Sequence, residues 1–262
     1  MSVGFSRAGI AIEGVRRTDL SSEGFMKDIG FGYNERLFSG GFRSHLHFAR
    51  FKWVSSQVRR LNASTNSVIE LGCFDGKLIG FLPSEPDRYV GFDANWEGGL
   101  DIARNRWAGH PNLVFKEVET PEQMNLRPNE RFETAVSMET LEHVPPPLID
   151  GYLETIARHL DGYFFVTVPN EKGPLFLAKW TVKRLFSKTA EKYSVGELIN
   201  ATLGRLRYVE RNEHKGFDYA ELVRQLEKHF DVIDVSGHPF GALLPRWCCF
   251  SIGIIAKPKR NG

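Results

Sequence analysis

The sequence predicts an α/β fold built on a parallel, doubly wound sheet. Short apolar runs alternate with helical segments along most of the 262 residues, and this alternation is typical of successive βαβ units. Two of the runs end in residues suited to a nucleoside ligand. The first ends in a glycine-bearing loop and the second in an aspartate, both expected at the carboxyl edge of the sheet.

The first 62 residues are interpreted as a lead-in followed by a cap helix. Residues 1–40 are rich in glycine and show no sustained period, so we expect irregular structure there and assign it no chemistry. A helix is expected over 42–61, because apolar residues recur at spacings of three and four, namely Phe51, Val54, Val58 and Leu61. His45 and His47 are two residues apart and cannot share a helix face, so no metal site is predicted.

The central feature is the stretch Val68–Gly76, an apolar strand followed by a loop with glycines at 72 and 76. Glycines at the end of a strand let a ligand lie against backbone that no Cβ obstructs. The spacing is Gly-x-x-x-Gly, whereas a dinucleotide fingerprint needs a third glycine to pack helix on strand. The loop, which is expected to enter a helix, therefore favours a nucleoside ligand and disfavours a nicotinamide dinucleotide.

The second strand, over 89–93, ends in a carboxylate. Asp93 lies 17 residues after Gly76, close to the spacing at which such a carboxylate binds ribose hydroxyls. Ala94 follows it directly, and a helix is expected over 96–107. The alternative is that Asp93 is a solvated acid that caps this helix.

Five more strands and two helices complete the predicted sheet region. The third strand, over 113–116, leads to Val118, where an adenine edge would be read. Strands are also expected over 132–138 and 162–169, with a helix between them whose apolar residues recur every four positions, namely Leu148, Tyr152, Ile156 and Leu160. A capping box at Asp218–Glu221 predicts a later helix, and the last strands are expected over 232–235 and 250–256.

These stretches resemble motifs I, II and IV of class I S-adenosylmethionine-dependent methyltransferases. The matching residues are Val68–Gly76, Asp93 and Met138–Val144. The heptad Met-Glu-Thr-Leu-Glu-His-Val is the most specific, and it resembles the ubiquinone-biosynthesis O-methyltransferases and related bacterial enzymes acting on small molecules and glycans. The resemblance covers residues 67–170. It implies a Rossmann-like, seven-stranded, mostly parallel sheet with an antiparallel last strand.

The resemblance also implies the cofactor, S-adenosyl-L-methionine, and its contacts. Glu70 would lie near the amino-acid end, the two loop glycines beneath the homocysteine moiety, and Asp93 at the ribose. Family members usually have small residues between the glycines, whereas this loop contains Cys-Phe-Asp. The expected cofactor-binding residues are Glu70, Gly72, Cys73, Phe74, Gly76, Asp93, Ala94, Val118, Met138 and Glu139.

Two histidines are candidate catalytic bases. A sulfonium already carries an activated methyl group, so transfer needs a collinear acceptor and in principle no metal. An alcohol or phenol acceptor must lose a proton, and histidine suits that role at neutral pH. His143, in the heptad, is expected to face the acceptor, or alternatively to start a helix and shape the pocket. His214 is the second candidate, with an ordinary loop histidine as the alternative.

Residues 171–217 form an insertion after the fifth strand that is longer than a compact α/β connection needs. Over 174–188, Lys and Arg alternate with Leu, Phe and Trp, which predicts a cationic helix with one apolar face. It is expected to contact a membrane surface peripherally, to form a lid over the acceptor, or both. The insertion separates a cofactor-binding core, 63–170, from the C-terminal part of the core, 218–262.

Composition favours an enzyme of the reducing cytoplasm. The net charge is +2, from 34 Lys and Arg against 32 Asp and Glu, which is too balanced to indicate nucleic acid. The three cysteines, two of them adjacent, indicate neither a disulfide framework nor a Cys-x-x-Cys metal site. No apolar run approaches the roughly 18 residues of a membrane span. The protein is therefore expected in the cytoplasm, with contact at the inner membrane face as the additional option.

The sequence favours O-methylation of a small molecule, or of a glycan or lipid-linked intermediate. One alternative is an accessory protein that binds the cofactor or docks on a membrane without turnover. The other is a nucleic-acid methyltransferase. It is the weaker interpretation, because such enzymes typically carry Asn/Asp-Pro-Pro-Tyr/Phe after the fourth strand, where this chain has Met138–Leu141. No nucleic-acid partner is therefore expected.

Overall fold

The computed structural model describes residues 42–186, 192–212, 215–239 and 245–260. Their centre is a seven-stranded sheet with the order β3-β2-β1-β4-β5-β7-β6. The strands are β1 Ser67–Leu71, β2 Arg88–Asp93, β3 Leu113–Glu117, β4 Phe132–Met138, β5 Leu160–Pro169, β6 Phe230–His238 and β7 Ser251–Pro258. All seven predicted strands are present.

Strand direction also follows the prediction. The pairs among β1 to β5 are parallel, whereas β7 runs antiparallel between β5 and β6. The strand order reverses between β1 and β4. In open α/β sheets such a reversal leaves a crevice outside the carboxyl ends of the strands, which is where ligands bind.

Six α-helices lie in the described part of the chain. They are α1 Phe42–Arg60, α2 Gly99–Arg106, α3 Pro146–His159, α4 Pro174–Phe186, α5 Val195–Thr202 and α6 Tyr219–His229. Prolines begin α3, where their fixed φ and missing N–H cost nothing. The side chain of Asp218 caps α6 by accepting a hydrogen bond from the N–H of Ala220.

One local prediction was wrong. The expected capping box does not form, because the side chain of Glu221 pairs with Arg224 and leaves Asp218 to cap α6 alone. The loop after β1 enters a helix as predicted, and this is a short 3-10 helix, Lys77–Phe81. Leu82, which follows it, is extended, as a residue before a proline prefers, and this ends the helical segment.

The sheet has an apolar core on each face. On one face α3 and α6 pack through residues such as Leu153 and Leu226. On the other face α1 and α2 pack through residues such as Val54 and Leu100. The predicted apolar stripe of α1 is thus largely buried against the sheet, and Arg50 and Phe51 in the middle of that helix lie near the carboxyl edge of β1.

The insertion has a small core of its own. Phe176 on α4 packs with Ala201 on α5 and with Leu206 and Val209 beyond it. Trp180 packs against this core as well. No helix within the described ranges is long and apolar enough to cross a membrane.

Candidate active site

The loop after β1 forms the floor of a cleft of about 340 Å³. Gly72 and Gly76 both have left-handed backbone conformations, with φ of 79° and 66°, which glycine adopts without strain. The N–H groups of Gly72 and Cys73 donate to the carbonyl of Phe92 and hold the loop against β2. The cleft is lined by Arg50, Phe51, Glu70, Gly72, Cys73, Phe74, Asp75, Lys77 and Met138.

The bulky residues between the two glycines are accommodated by glycines on neighbouring elements. A Cβ atom added to Gly91 would lie 2.7 Å from Cys73 Sγ, and one added to Gly99 would lie 2.3 Å from the Phe74 ring. Asp75 is buried and forms ion pairs with Lys77 and Arg106, at 3.2 Å and 3.3 Å. The side chains between the two glycines therefore pack into the protein, and the loop backbone keeps the path that its glycines allow.

Asp93 anchors this loop from β2. One carboxylate oxygen accepts from the N–H of Phe74 at 2.9 Å, and the other accepts from the N–H of Asn95 at 2.7 Å. Asp93 does not cap α2, since Gly98 occupies that position. A carboxylate offers about four acceptor sites, so both oxygens can still accept hydrogen bonds from a ligand. Ala94, the next residue, is partly exposed.

Two predicted cofactor residues are buried in different surroundings. The carboxylate of Glu70 accepts a hydrogen bond from the Tyr89 hydroxyl, and burial raises its pKa well above the usual range. Val118 packs its side chain into the apolar core, while its N–H donates to the carbonyl of Asp93. Glu70 thus lies at the cleft, whereas Val118 holds the end of β2 through its backbone hydrogen bond to Asp93.

Arg50 is a cleft residue that the sequence prediction missed. It projects from α1 with its guanidinium 5.2 Å from the centre of the Phe51 ring. Its Nε is buried and has no hydrogen-bond partner among the described residues. A buried donor without a partner costs free energy, and it calls for a ligand or water at that position. The apolar stripe predicted the position of α1 correctly. It did not indicate that Arg50, which lies beside the stripe, enters the cleft.

The heptad after β4 brings two glutamates and a histidine together. Glu139 has a left-handed φ of 50°, and its carboxyl group faces the side chain of Ser251 at the start of β7. Burial raises the pKa of both Glu139 and Glu142, and their mutual repulsion further raises that of Glu142. His143 is 34% exposed, with Nε2 3.9 Å from Glu142 Oε1. The arrangement places a partly exposed imidazole beside the buried carboxyl of Glu142.

The heptad also contacts the loop after β1 and the insertion. A Cβ atom on Gly72 would lie 1.9 Å from Thr140 Oγ1, so the loops after β1 and β4 touch. Arg211, near the end of the insertion, donates to the backbone carbonyl of Glu142 at 2.9 Å. His214 lies outside the described residues. No group of three or more metal-ligating side chains occurs in the ranges that the structure describes.

The family model for the methyltransferase domain matches residues 45–214, well over half of the chain. This chain belongs to that methyltransferase family. The matched region contains the cleft, the Asp93 anchor and the heptad after β4. The cofactor of such an enzyme is S-adenosylmethionine, as the sequence motifs predict, and the left-handed glycine loop and the donor of Arg50 suit it.

Solved structures share the fold of this methyltransferase at low sequence identity. An S-adenosylmethionine-dependent methyltransferase from Clostridium acetobutylicum ATCC 824 is 11% identical with a TM-score of 0.59, covering 87% of this chain and 96% of that one. The PH0226 protein from Pyrococcus horikoshii OT3 is 12% identical with a TM-score of 0.56, covering 88% and 100%. A putative S-adenosylmethionine-dependent methyltransferase from Listeria monocytogenes is 16% identical with a TM-score of 0.54, covering 80% and 99%. No curated protein matches the chain in sequence.

Proposed function

We propose that this methyltransferase acts on a hydroxyl oxygen of a small molecule, or of a glycan or lipid-linked intermediate. The observation that carries the proposal is the position of His143. The residue belongs to the heptad that follows β4, whose first residue, Met138, lines the cleft. It is partly exposed, and the neighbouring carbonyl of Glu142 accepts from Arg211 of the insertion. Histidine is the side chain whose unperturbed pKa lies near neutral pH, and in this proposal His143 would lie between the cofactor and the insertion.

The cofactor's contacts are proposed from the groups that line the cleft. Arg50 would hold the carboxylate of the amino-acid end, because its buried Nε has no partner among the described residues. Glu70 would face the amino group of the cofactor. The positive charge of that group would lower the pKa of the Glu70 carboxyl, which burial raises. Asp93 would accept from the ribose hydroxyls, and the remaining proposed contacts are Gly72, Cys73, Phe74, Gly76, Ala94, Val118, Met138 and Glu139.

The bound cofactor supplies an activated methyl group, so the chain itself must orient the acceptor and remove its proton. His143 would take the hydroxyl proton, and the positive charge of the resulting imidazolium would favour the ionised form of the Glu142 carboxyl, 3.9 Å away, which would stabilise that charge in turn. His214 is the second proposed base. The heptad supports an enzyme of the ubiquinone-biosynthesis O-methyltransferase type or a related bacterial type, and it argues against nucleic acid as the acceptor.

The insertion is proposed to determine the acceptor. Its small core and its contact with Glu142 support a lid over the acceptor, separate from the cofactor core of 63–170. Residues 174–188 are further proposed to contact the inner face of a membrane from the cytoplasm. The competing function is an accessory protein that binds the cofactor without turnover.

The experiment compares His143→Ala with His110→Ala, a surface histidine distant in sequence from the heptad. Transfer of radiolabelled methyl groups to cell fractions measures turnover, and calorimetry measures cofactor affinity. We expect His143→Ala to lower kcat by about 10²- to 10⁴-fold with little change in cofactor Kd, and His110→Ala to change neither. Unchanged turnover, or equal losses of turnover and cofactor binding, would remove His143 as the base. Cofactor binding with no labelled product in any fraction would favour the accessory function.

A further inference from the structure

The insertion carries an unusual concentration of exposed apolar side chains. Of the ten large apolar side chains that are exposed in the described part of the chain, six belong to it. We define these six as the insertion surface, and they are Val182, Leu185, Val195, Ile199, Leu203 and Tyr208. Each is between 54% and 77% exposed. Soluble monomers rarely expose contiguous apolar patches unless these serve an interaction.

The exposed residues form stripes that face away from the insertion's own core. Val195, Ile199 and Leu203 follow one another at intervals of four residues along α5 and beyond its end, and therefore lie on one side of that helix. The opposite side presents Ala201 to Phe176. On α4, Trp180 packs inward whereas Val182 and Leu185 point outward. The predicted apolar face of α4 is therefore divided between core and surface.

An apolar groove lies between α4 and α5. It has a volume of about 440 Å³ and is lined by Leu177 of α4 together with Leu198, Ile199, Thr202 and Leu203. Four of these five side chains are aliphatic, and two of them belong to the insertion surface. The apolar stripe on α5 therefore continues across the groove to Leu177 of α4.

Positive charge accompanies this surface. Residues 174–209 contain seven Lys and Arg but only two Glu, an excess of five positive charges, whereas the whole chain has a net charge of only +2. Arg184, Lys192, Arg205 and Arg207 are exposed, and the Arg207 guanidinium lies 4.7 Å from the centre of the Tyr208 ring. Of the two glutamates, Glu197 forms an ion pair with Lys215 at 2.7 Å. The region therefore carries a marked excess of positive charge.

We infer that the insertion surface docks on an anionic lipid bilayer. Exposed aliphatic and aromatic side chains beside Lys and Arg are the combination that binds the boundary of an anionic leaflet, since apolar burial and electrostatic attraction add. The inference deepens the proposed function and rests on it in one respect. A lipid-linked acceptor would be presented at the bilayer, next to the insertion that contacts Glu142 through Arg211.

The test is flotation of the protein with vesicles of phosphatidylcholine, alone or with roughly 30 mol% phosphatidylglycerol, whose anionic headgroups give the bilayer a negative surface potential. We expect binding to the anionic vesicles only, and weaker binding as salt shortens the Debye length. Failure of the protein to float with anionic vesicles at low salt would overturn the inference.

Two double variants separate the apolar and charged contributions. Each basic residue near an anionic surface contributes about fivefold to binding, so Arg205→Gln with Arg207→Gln should weaken it about 25-fold. Val195→Ser with Leu203→Ser should weaken it at least about tenfold. The matched control is Ile233→Ser on β6, which is also about half exposed but lies outside the insertion, and it should bind as the unsubstituted protein does. Equal binding by all variants would contradict the inference.

Further measurements distinguish docking on lipid from self-association of the chain. Circular dichroism and cofactor calorimetry should be unchanged in every variant, because none of these residues lies in the cleft. A dimer in light scattering that dissociates in Val195→Ser with Leu203→Ser, without vesicle binding, would assign the surface to a second copy of the chain and overturn the inference. Vesicle binding with no methyl transfer would count against the proposed function alone.

Discussion

Gly72 and Thr140 are in direct contact, so that a Cβ atom on Gly72 would lie 1.9 Å from Thr140 Oγ1. The contact joins the glycine loop after β1 to the heptad after β4, at the point where the strand order reverses. Gly72 also has a φ of 79°, which strains any residue with a side chain. Both walls of the cleft therefore depend on this glycine.

Gly72→Ala should weaken cofactor binding at least about tenfold and lower the free energy of unfolding by about 1–3 kcal/mol. The matched control is Gly98→Ala, because Gly98 has a similar φ of 71° but nothing within 4 Å of an added Cβ. Gly98→Ala therefore has the backbone strain of a positive φ but no clash with a neighbouring side chain. Calorimetry with S-adenosylmethionine and chemical unfolding give both quantities. Similar losses of affinity in the two variants would show that the contact with Thr140 does not shape the cleft.

Asp93→Asn should weaken cofactor binding about tenfold or more. An amide offers one acceptor oxygen where the carboxylate offers two, so the variant cannot accept from Phe74 and Asn95 on separate oxygens and still serve the ribose hydroxyls. Asp101→Asn, at an exposed position on α2, is the control. The comparison ligand is methionine, which lacks ribose. If affinity for methionine fell as much as affinity for the whole cofactor, loop disruption and not ribose binding would be the cause.

Arg50→Met should weaken binding of S-adenosylmethionine about 10- to 100-fold, the usual effect of losing a hydrogen bond to a charged group. S-adenosylhomocysteine, the demethylated product, has the same amino-acid end and should lose as much. Arg59→Met, at an exposed position on the same helix, should change neither affinity. A loss confined to the methylated cofactor would instead place Arg50 near the sulfonium.

The sequence predicted the parts of this site whose position follows from strand ends. The first strand ends at the glycine loop, the second at Asp93 and the fourth at the heptad, and a parallel sheet brings all three ends to one edge. Arg50 could not be found in this way, because helical periodicity identifies the buried stripe of α1 and does not say which neighbouring side chain reaches the cleft. The division of α4 between core and surface was also missed, since Trp180 and Leu185 look alike until α5 is placed beside them.

Glu142→Gln should stabilise the protein at neutral and alkaline pH. Burial and the neighbouring Glu139 raise the pKa of Glu142 in the folded protein above its unfolded value of about 4.3. The stability linked to this group is complete below the unfolded pKa and is lost as pH rises through the folded pKa. Chemical unfolding at pH 5 and pH 8 should therefore show a larger gain for the variant at pH 8. The exposed Glu154→Gln on α3 is the control, and equal stability of the Glu142→Gln variant and the unsubstituted protein at pH 8 would contradict the expectation.

His238 should make the protein sensitive to acid. Its ring is buried, stacks 5.5 Å from Trp53, and has no hydrogen-bond partner on either nitrogen among the described residues. Burial, together with the charge of Arg50, lowers its pKa to about 4. Because the folded pKa is below the unfolded value of about 6.5, the stability linked to His238 is present above pH 6.5 and is lost as pH falls towards 4, a loss of up to about 3 kcal/mol.

His238→Phe keeps an aromatic ring against Trp53 and removes the titration. Between pH 7 and pH 4.5, its free energy of unfolding should therefore fall by less than that of the unsubstituted protein. Arg50→Met should have a partial effect in the same direction, because the guanidinium charge is one of the two causes of the low pKa. Chemical unfolding across this range, with the imidazole titration followed by NMR, measures both effects. If His238→Phe and the unsubstituted protein lost equal stability over this range, acid sensitivity would have to come from other groups, and the buried carboxyls could not supply it, because their raised pKa values make acid stabilising.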